Sequence, residues 1–344
     1  MNLSTSLSEI ISGGFTNLVK MIDAASALNK VATIVFFILV SSTIVVFLLT
    51  KLKKDIDFSE LAQRVRSWWV MAVVFFLLLF INPKLSIVIF GFVSFLALKE
   101  FYTLIHSRMS DLHILLWAYL VVPIQYYWIL SDWKAMFFIF IPVYIFLFIP
   151  IRNVITNSPN DMVESMAKVQ WGLMAFVYCI SHIAALMMLK PNGSLPEGGL
   201  ALLLYLVFLT EINDVLQYIS GKLPGKRIFG DIMFLPSISP KKTIEGLIGG
   251  IIGTALVACS LKSLIGGNIV FALLSGIMIS VIGTIGDLVM SAVKRDVGVK
   301  DSSSLIPGHG GIIDRIDSLV YTAPIFFHLV SFFFYQAPPG CSIL

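Results

Sequence analysis

The sequence predicts an all-α protein that crosses a membrane about ten times, with nine spans as the alternative count. Three observations predict it. Apolar residues make up 58% of the 344-residue chain and charged residues only 13%, far outside soluble globular averages. Several apolar runs approach the roughly 20 residues that a helix needs to cross a bilayer. Lys and Arg also alternate between connections as they do in polytopic proteins, where they are retained on the cytoplasmic side.

Residues 1–30 carry Ile10, Ile11, Phe15, Leu18, Val19 and Ile22 at near-helical spacing, which suits a segment lying along the membrane surface. The first long apolar run begins only at Val31, so no cleaved leader is expected. Apolar segments follow at 31–50, 68–82, 85–98, 112–130, 135–150, 169–189, 199–219, 244–261, 268–290 and 318–336. The second and third meet at Asn82-Pro83, a turn, a kink or a re-entrant corner. Of the 24 Lys and Arg, 18 fall in the alternate connections 51–67, 99–111, 151–168, 220–243 and 291–317. The other 6 are spread over the opposite connections and the amino-terminal segment, so ten spans with both termini outside are expected. Residues 31–198 then read as a transmembrane scaffold, and 199–344 as the region that carries chemistry. Trp68, Trp69, Trp117, Trp128 and Trp133 stand near segment ends, where interface anchoring is the usual role.

Cys179, Cys259 and Cys341 form no CxxC or His-rich pattern, which argues against a disulfide framework or a structural zinc site. Cys341-Ser342-Ile343-Leu344 has the shape of a prenylation box but lacks upstream basic residues, and is read as chance. The formal charge of +4 is scattered over connections rather than gathered on one module, so no nucleic-acid partner is expected.

The scarce charges concentrate at three places. At the end of the seventh segment Glu211, Asp214 and Tyr218 share a helical face, and an ionised carboxylate at a membrane boundary needs a cation, a metal or water. The basic turn at 221–227 fails the P-loop spacing. Ser239-Pro240-Lys241-Lys242-Thr243 reads as the start of the eighth helix, with Ser239 as N-cap and Pro240 at N1. Its free N–H groups and two lysines would make an anion site. Gly246, Gly249, Gly250 and Gly253 have small-xxx-small spacing, which favours close helix packing.

The third place, 287–317, is the densest. On a helix, Asp287, Ser291, Lys294 and Arg295 lie on one face. Asp287 ends an otherwise apolar span and is the best candidate for a metal ligand, with Asp214 second. Lys300 and Asp301 follow. The turn Pro307-Gly308-His309-Gly310-Gly311 is either a nucleotide cradle or a loop that orders Asp314 and Arg315, which would themselves pair; His309 would donate to phosphate or cap the loop.

Ser291-x-Val293-Lys294-Arg295, Lys300-Asp301-x-Ser303 and Ile306-Pro307-x-His309-Gly310-Gly311-Ile312-x-Asp314-Arg315-Ile316-Asp317 together resemble the signature of the phosphatidate cytidylyltransferases, the CDP-diacylglycerol synthases. The resemblance covers about residues 205–320. Gln217 stands where the common bacterial pattern has alanine, and Ile244 where it has tryptophan; every charged position is kept. The resemblance implies transfer of CMP from CTP to phosphatidate. It also implies Mg²⁺ with room for a second cation, a membrane lipid substrate and a site facing the cytoplasm of a bacterial cell, and it leaves room for a homodimer. Asp287 and Asp214 would be catalytic and hold the metal. Lys294 and Arg295 would be catalytic cations, and Ser239, Lys241, Lys242, Lys300, Asp301, His309, Gly310, Gly311, Asp314 and Arg315 would bind substrate. A transporter would instead spread polar groups through several spans, and a prenyltransferase would carry aspartates where Gln217 and Gly221 stand.

Overall fold

The computed structural model describes residues 27–52, 58–80, 82–105, 112–156, 162–190, 195, 198–222, 235–240, 242–306 and 310–335. Segment 1–26, most of the basic turn, Lys241, His309 and Cys341 lie outside these residues. The described residues form ten helical segments, matching the ten apolar runs in order, and no strand. Seven helices are long and apolar enough to cross a membrane, and Ile114–Leu130 and Ile244–Ser260 are shorter apolar helices. The protein is therefore a multi-pass helical membrane protein.

Two compact units divide the chain, 1–76 and 77–344. The first holds α1 (Ala27–Leu52) and most of α2 (Ser59–Phe80). Trp69 lies inside α2 instead of at its end, donating to Thr43 Oγ1 (3.0 Å) and stacking edge-on to Phe36. Many apolar α1 side chains, among them Ile34, Phe37, Ile44 and Phe47, are exposed, as suits a lipid-facing helix.

The second unit contains all the other helices. Asn82 caps α3 (Pro83–Leu104) by accepting from Lys84 N at 3.0 Å with Pro83 at N1, so the corner at Asn82-Pro83 is a helix start. Then come α4 (Leu112–Leu130) and α5, which runs through Lys134–Ile139, a π-helical turn at Phe140–Ile145 and Phe146–Thr156. Pro142 within that turn lacks an N–H, which favours such a bulge. Next, α6 runs through Met162–Gly172, a second π-helical stretch at Leu173–Cys179 and Ile180–Met187.

The carboxy-terminal helices are α7 (Gly198–Lys222), α8 (Ile244–Ser260), α9 (Ile269–Asp296) and α10 (Ile313–Phe334). The core sits around α7, whose Ala201 to Leu206 are all buried because α6, α8, α9 and α10 pack against it. Tyr205 keeps its hydroxyl satisfied there by pairing with Ser275 Oγ at 2.8 Å. On α8, Ile248, Ile252 and Leu256 are exposed while the glycines face α7.

Contacts between connections agree with the charge alternation. The ends of α3 and α7 and the starts of α8 and α10 meet at one end of the unit. At the other end, Tyr335 at the close of α10 donates to Lys190 O.

Candidate active site at the shared end of the helices

The glycine stripe brings α8 against α7. A Cβ on Gly246 would stand 2.8 Å from Gln217 O, and one on Gly253 2.9 Å from Leu216 Cδ1, so bulkier residues would force the helices apart. The packing role expected of these glycines is the observed one. Below the site a buried polar seam locks the register: Asn213 Oδ1 accepts from Ser280 Oγ (2.6 Å) and Thr254 Oγ1 (3.2 Å). Gln217 Nε2 donates to Thr284 Oγ1 at 2.6 Å. Gln217, the departure from the family pattern, therefore joins α7 to α9. Asp214 on α7 and Asp287 on α9 lie within electrostatic range of each other above this seam.

Helix α8 begins later than expected. Its N-cap is Thr243, extended at φ −111°, with Oγ1 accepting from Gly246 N at 3.1 Å. Ser239 lies four residues upstream in a turn, where its carbonyl accepts from Lys242 N at 3.2 Å. Two capping residues competed, and Thr243 won because Gly246 at N3 gives its hydroxyl a donor while Gly221 leaves space beside it. The later start places Lys242 just ahead of the helix, where its ammonium pairs with the Asp287 carboxylate.

Asp287 Oδ1 also accepts from Ser291 Oγ at 3.3 Å. Asp214 is solvent-accessible and lies within electrostatic range of Asp287, Lys242 and Arg315. Asp317 on α10 lies in range of both Asp287 and Asp214, and Glu211 in range of Asp214 and Arg315. Four carboxylates thus gather in range of Lys242, Arg315 and, at Asp317, Lys294. Arg315 Nε is buried with no hydrogen-bond partner among the described residues. No group of three His, Cys, Asp or Glu is arranged to hold a metal among the described residues. The donor set nevertheless fits Mg²⁺, which takes hard oxygen ligands and keeps part of its shell for water and phosphate, so that one or two carboxylates suffice. A divalent cation there would offset the mutual repulsion of these carboxylates.

Lys294 and Asp314 are not directed at this cluster as free groups. Lys294 Nζ pairs with Asp314 Oδ1 at 2.6 Å, and both side chains are buried, 10% and 7% exposed. Asp314 therefore takes Lys294, not the neighbouring Arg315, as its partner. Its other oxygen accepts from Ser302 N (2.9 Å), Ser302 Oγ (2.7 Å) and Gly311 N (2.9 Å).

The loop that supplies these donors leaves α9 through a Schellman closure. Val299 N donates to Lys294 O (2.9 Å) and Gly298 N to Arg295 O (3.0 Å), with Gly298 at φ +81°. Arg295, Lys300 and Asp301 are exposed on this turn, Arg295 Nη1 donating to Val299 O. Gly310, at φ +77°, then lets the chain fold over Asp314. The glycine turn thus orders Asp314, one of the two roles expected for it.

Sequence reasoning missed Glu100. At the end of α3, it accepts from Ile312 N (3.0 Å) and Ile313 N (3.3 Å) at the start of α10, 212 and 213 residues away. The signal in the sequence was a lone acid closing an apolar segment.

Residues 62–333 match the cytidylyltransferase family. Among relatives, YnbB of Escherichia coli (strain K12) is 38% identical over 305 residues, 88% of this chain and 98% of that protein. A phosphatidate cytidylyltransferase of Bacillus subtilis (strain 168) is 30% identical over 285 residues, 80% of this chain and 99% of that protein. One of Haemophilus influenzae is 41% identical over 169 residues, 46% of this chain and 57% of that protein.

Proposed function

The chain belongs to the cytidylyltransferase family of nucleotidyltransferases, and on that premise we propose that it transfers CMP from CTP to phosphatidate, leaving CDP-diacylglycerol in the membrane. The observation that carries the reading is that the family match, 62–333, takes in every helix contributing to the carboxylate cluster. Likeness to the Bacillus subtilis enzyme along nearly all of that protein supports phosphatidate as acceptor.

In this reading an oxygen of the lipid phosphate forms a bond to the α-phosphorus of CTP. The bond from that phosphorus to the oxygen bridging the β-phosphorus breaks, and pyrophosphate leaves with the electron pair. A phosphate monoester, with a second pKa of about 6, is already ionised near neutral pH and needs little help from a base. The obstacle is repulsion between two polyanions.

Asp214 and Asp287 would hold Mg²⁺, and the net negative cluster has room for a second cation; bound metal supplies Lewis-acid neutralisation of phosphate oxygens. Lys242, paired with Asp287 here, turns to phosphate when nucleotide arrives, and Arg315 adds planar donors. Arg295 and Lys300, exposed at the rim, attract the triphosphate. Lys294 acts through Asp314 by holding the loop. Ser239, Asp301 and Gly310 shape the approach, and Lys241 and His309 are assigned phosphate contacts on the sequence motif.

The shared end would face the cytoplasm of a bacterial cell, the side that supplies CTP. Purified protein should release pyrophosphate only with CTP and phosphatidate together and should not turn over prenyl diphosphates. Release with CTP alone, or turnover of a prenyl diphosphate, would sink this assignment.

A further inference from the structure

Helix α10 starts without a cap of its own. Ile312 at the N-cap position has helical backbone and no side-chain hydrogen bond to the first turn. A helix start leaves N–H groups that need acceptors, and here two carboxylates provide them. Asp314 takes Gly311 N, and Glu100 takes Ile312 N and Ile313 N. Gly311 is buried between them, and a Cβ there would run into Glu100 and Ser302, so the fit admits no larger residue.

Glu100 is presented from a stiff part of the scaffold. Its neighbours Phe101 and Tyr102 are buried; Tyr102 donates to Val169 O at 3.0 Å, and Phe101 packs against Trp171 and Phe176. The start of α10 that Glu100 grips carries Asp314 and Arg315 in its first turn and Asp317 just beyond it. Through them it reaches Lys294, Glu211, Asp214 and Asp287.

Resting on the functional reading above, we propose that Glu100 is a positioning residue for CMP transfer. By capping α10 from α3, it holds Arg315 within electrostatic range of Asp214, and Asp317 within range of Asp214 and Asp287. The cap also excludes phosphate from the α10 start, because its N–H groups are already taken. The amino-terminal region is then part of the active machinery and not scaffold alone.

The test compares Glu100→Ala, Glu100→Gln and wild type in the full-length protein. The expected result is a fall in kcat of about 10- to 100-fold for Glu100→Ala, the range seen when an outer partner of a site is removed. The KM for phosphatidate should stay within about twofold, since such a loss is confined to the transition state. Glu100→Gln keeps one of the two acceptors, since Oε1 and Oε2 each take one N–H, and should recover part of kcat. Amide hydrogen exchange should rise at Ile312 and Ile313 in Glu100→Ala but not at the α7 core. A purely structural role would raise exchange across α7 and α9 and lower kcat in step with the folded fraction. Wild-type kcat in Glu100→Ala, or no recovery in Glu100→Gln, overturns the proposal. If wild type itself makes no CDP-lipid, the functional reading fails, while the exchange at Ile312 and Ile313 still decides whether Glu100 caps α10.

Discussion

In the proposed reaction Asp287 is the residue on which the chemistry turns, and it stood out in the sequence because an ionised carboxylate at the end of an apolar span needs a partner. Asp214 was singled out for the same reason, and the two carboxylates lie within electrostatic range of each other. Lys242 as the present partner of Asp287 was not legible, because it depends on a helix start four residues later than Ser239 suggested. Asp287→Asn should lower turnover by about three orders of magnitude, since metal stabilisation of a phosphoryl group is worth several kcal/mol and each 1.36 kcal/mol is tenfold. Steady-state CMP transfer at matched folded protein checks this; near-normal turnover removes Asp287 from catalysis. Asp314 behaves differently. Asp314→Ala strands the buried Lys294 charge, and breaking a buried pair costs about 3–5 kcal/mol. The double change Lys294→Met with Asp314→Leu should regain only the part lost to the stranded charge, because Ser302 and Gly311 still lose their acceptor, and activity should stay low. Restored activity in the double variant would mean that the pair does not order the loop.

Among the elements, α8 shows most clearly what spacing conveys and what it omits. Its glycines announced a close approach, and the polar seam beneath, Asn213 with Thr254 and Ser280, joins residues 41 and 67 positions apart that no local pattern links. Gly250→Leu should drive Gln217 and Asn213 out of place. Overpacking of this kind costs about 1–3 kcal/mol, and here it should also lower turnover. Thermal unfolding in detergent, compared with the exposed control Ile252→Leu, measures the difference; equal stability of the two would show that α7 and α8 are not in register as described. Loop geometry around Gly298 and Gly310 was half legible. Glycine flagged positive φ, but only the fold shows that the donors of this loop converge on Asp314. Glu100 escaped because a single acid at a segment end has no local signature, and its partners lie in another helix.

For the whole molecule, hydropathy and charge alternation sufficed to anticipate ten helices in the right order, since burial in lipid leaves few alternatives. They misjudged lengths: α2 begins at Ser59 and α3 reaches Leu104, because polar helix-formers extend both beyond their apolar cores. Topology adds a prediction. A cysteine replacing Lys300 should react with an impermeant reagent only from the cytoplasmic side, and one replacing Lys134 only from the other. Labelling of both from one side would reverse the reading of the connections.

The central claim is that this shared end of the helices moves CMP from CTP onto phosphatidate. The most direct measurement follows CTP labelled at the α-phosphate in vesicles of purified protein with phosphatidate and Mg²⁺. The account predicts label entering the lipid as CDP-diacylglycerol, one pyrophosphate released per label transferred, and loss of both in Asp214→Asn and Asp287→Asn. Label that stays in water with wild-type protein, or transfer that persists in both variants, contradicts it.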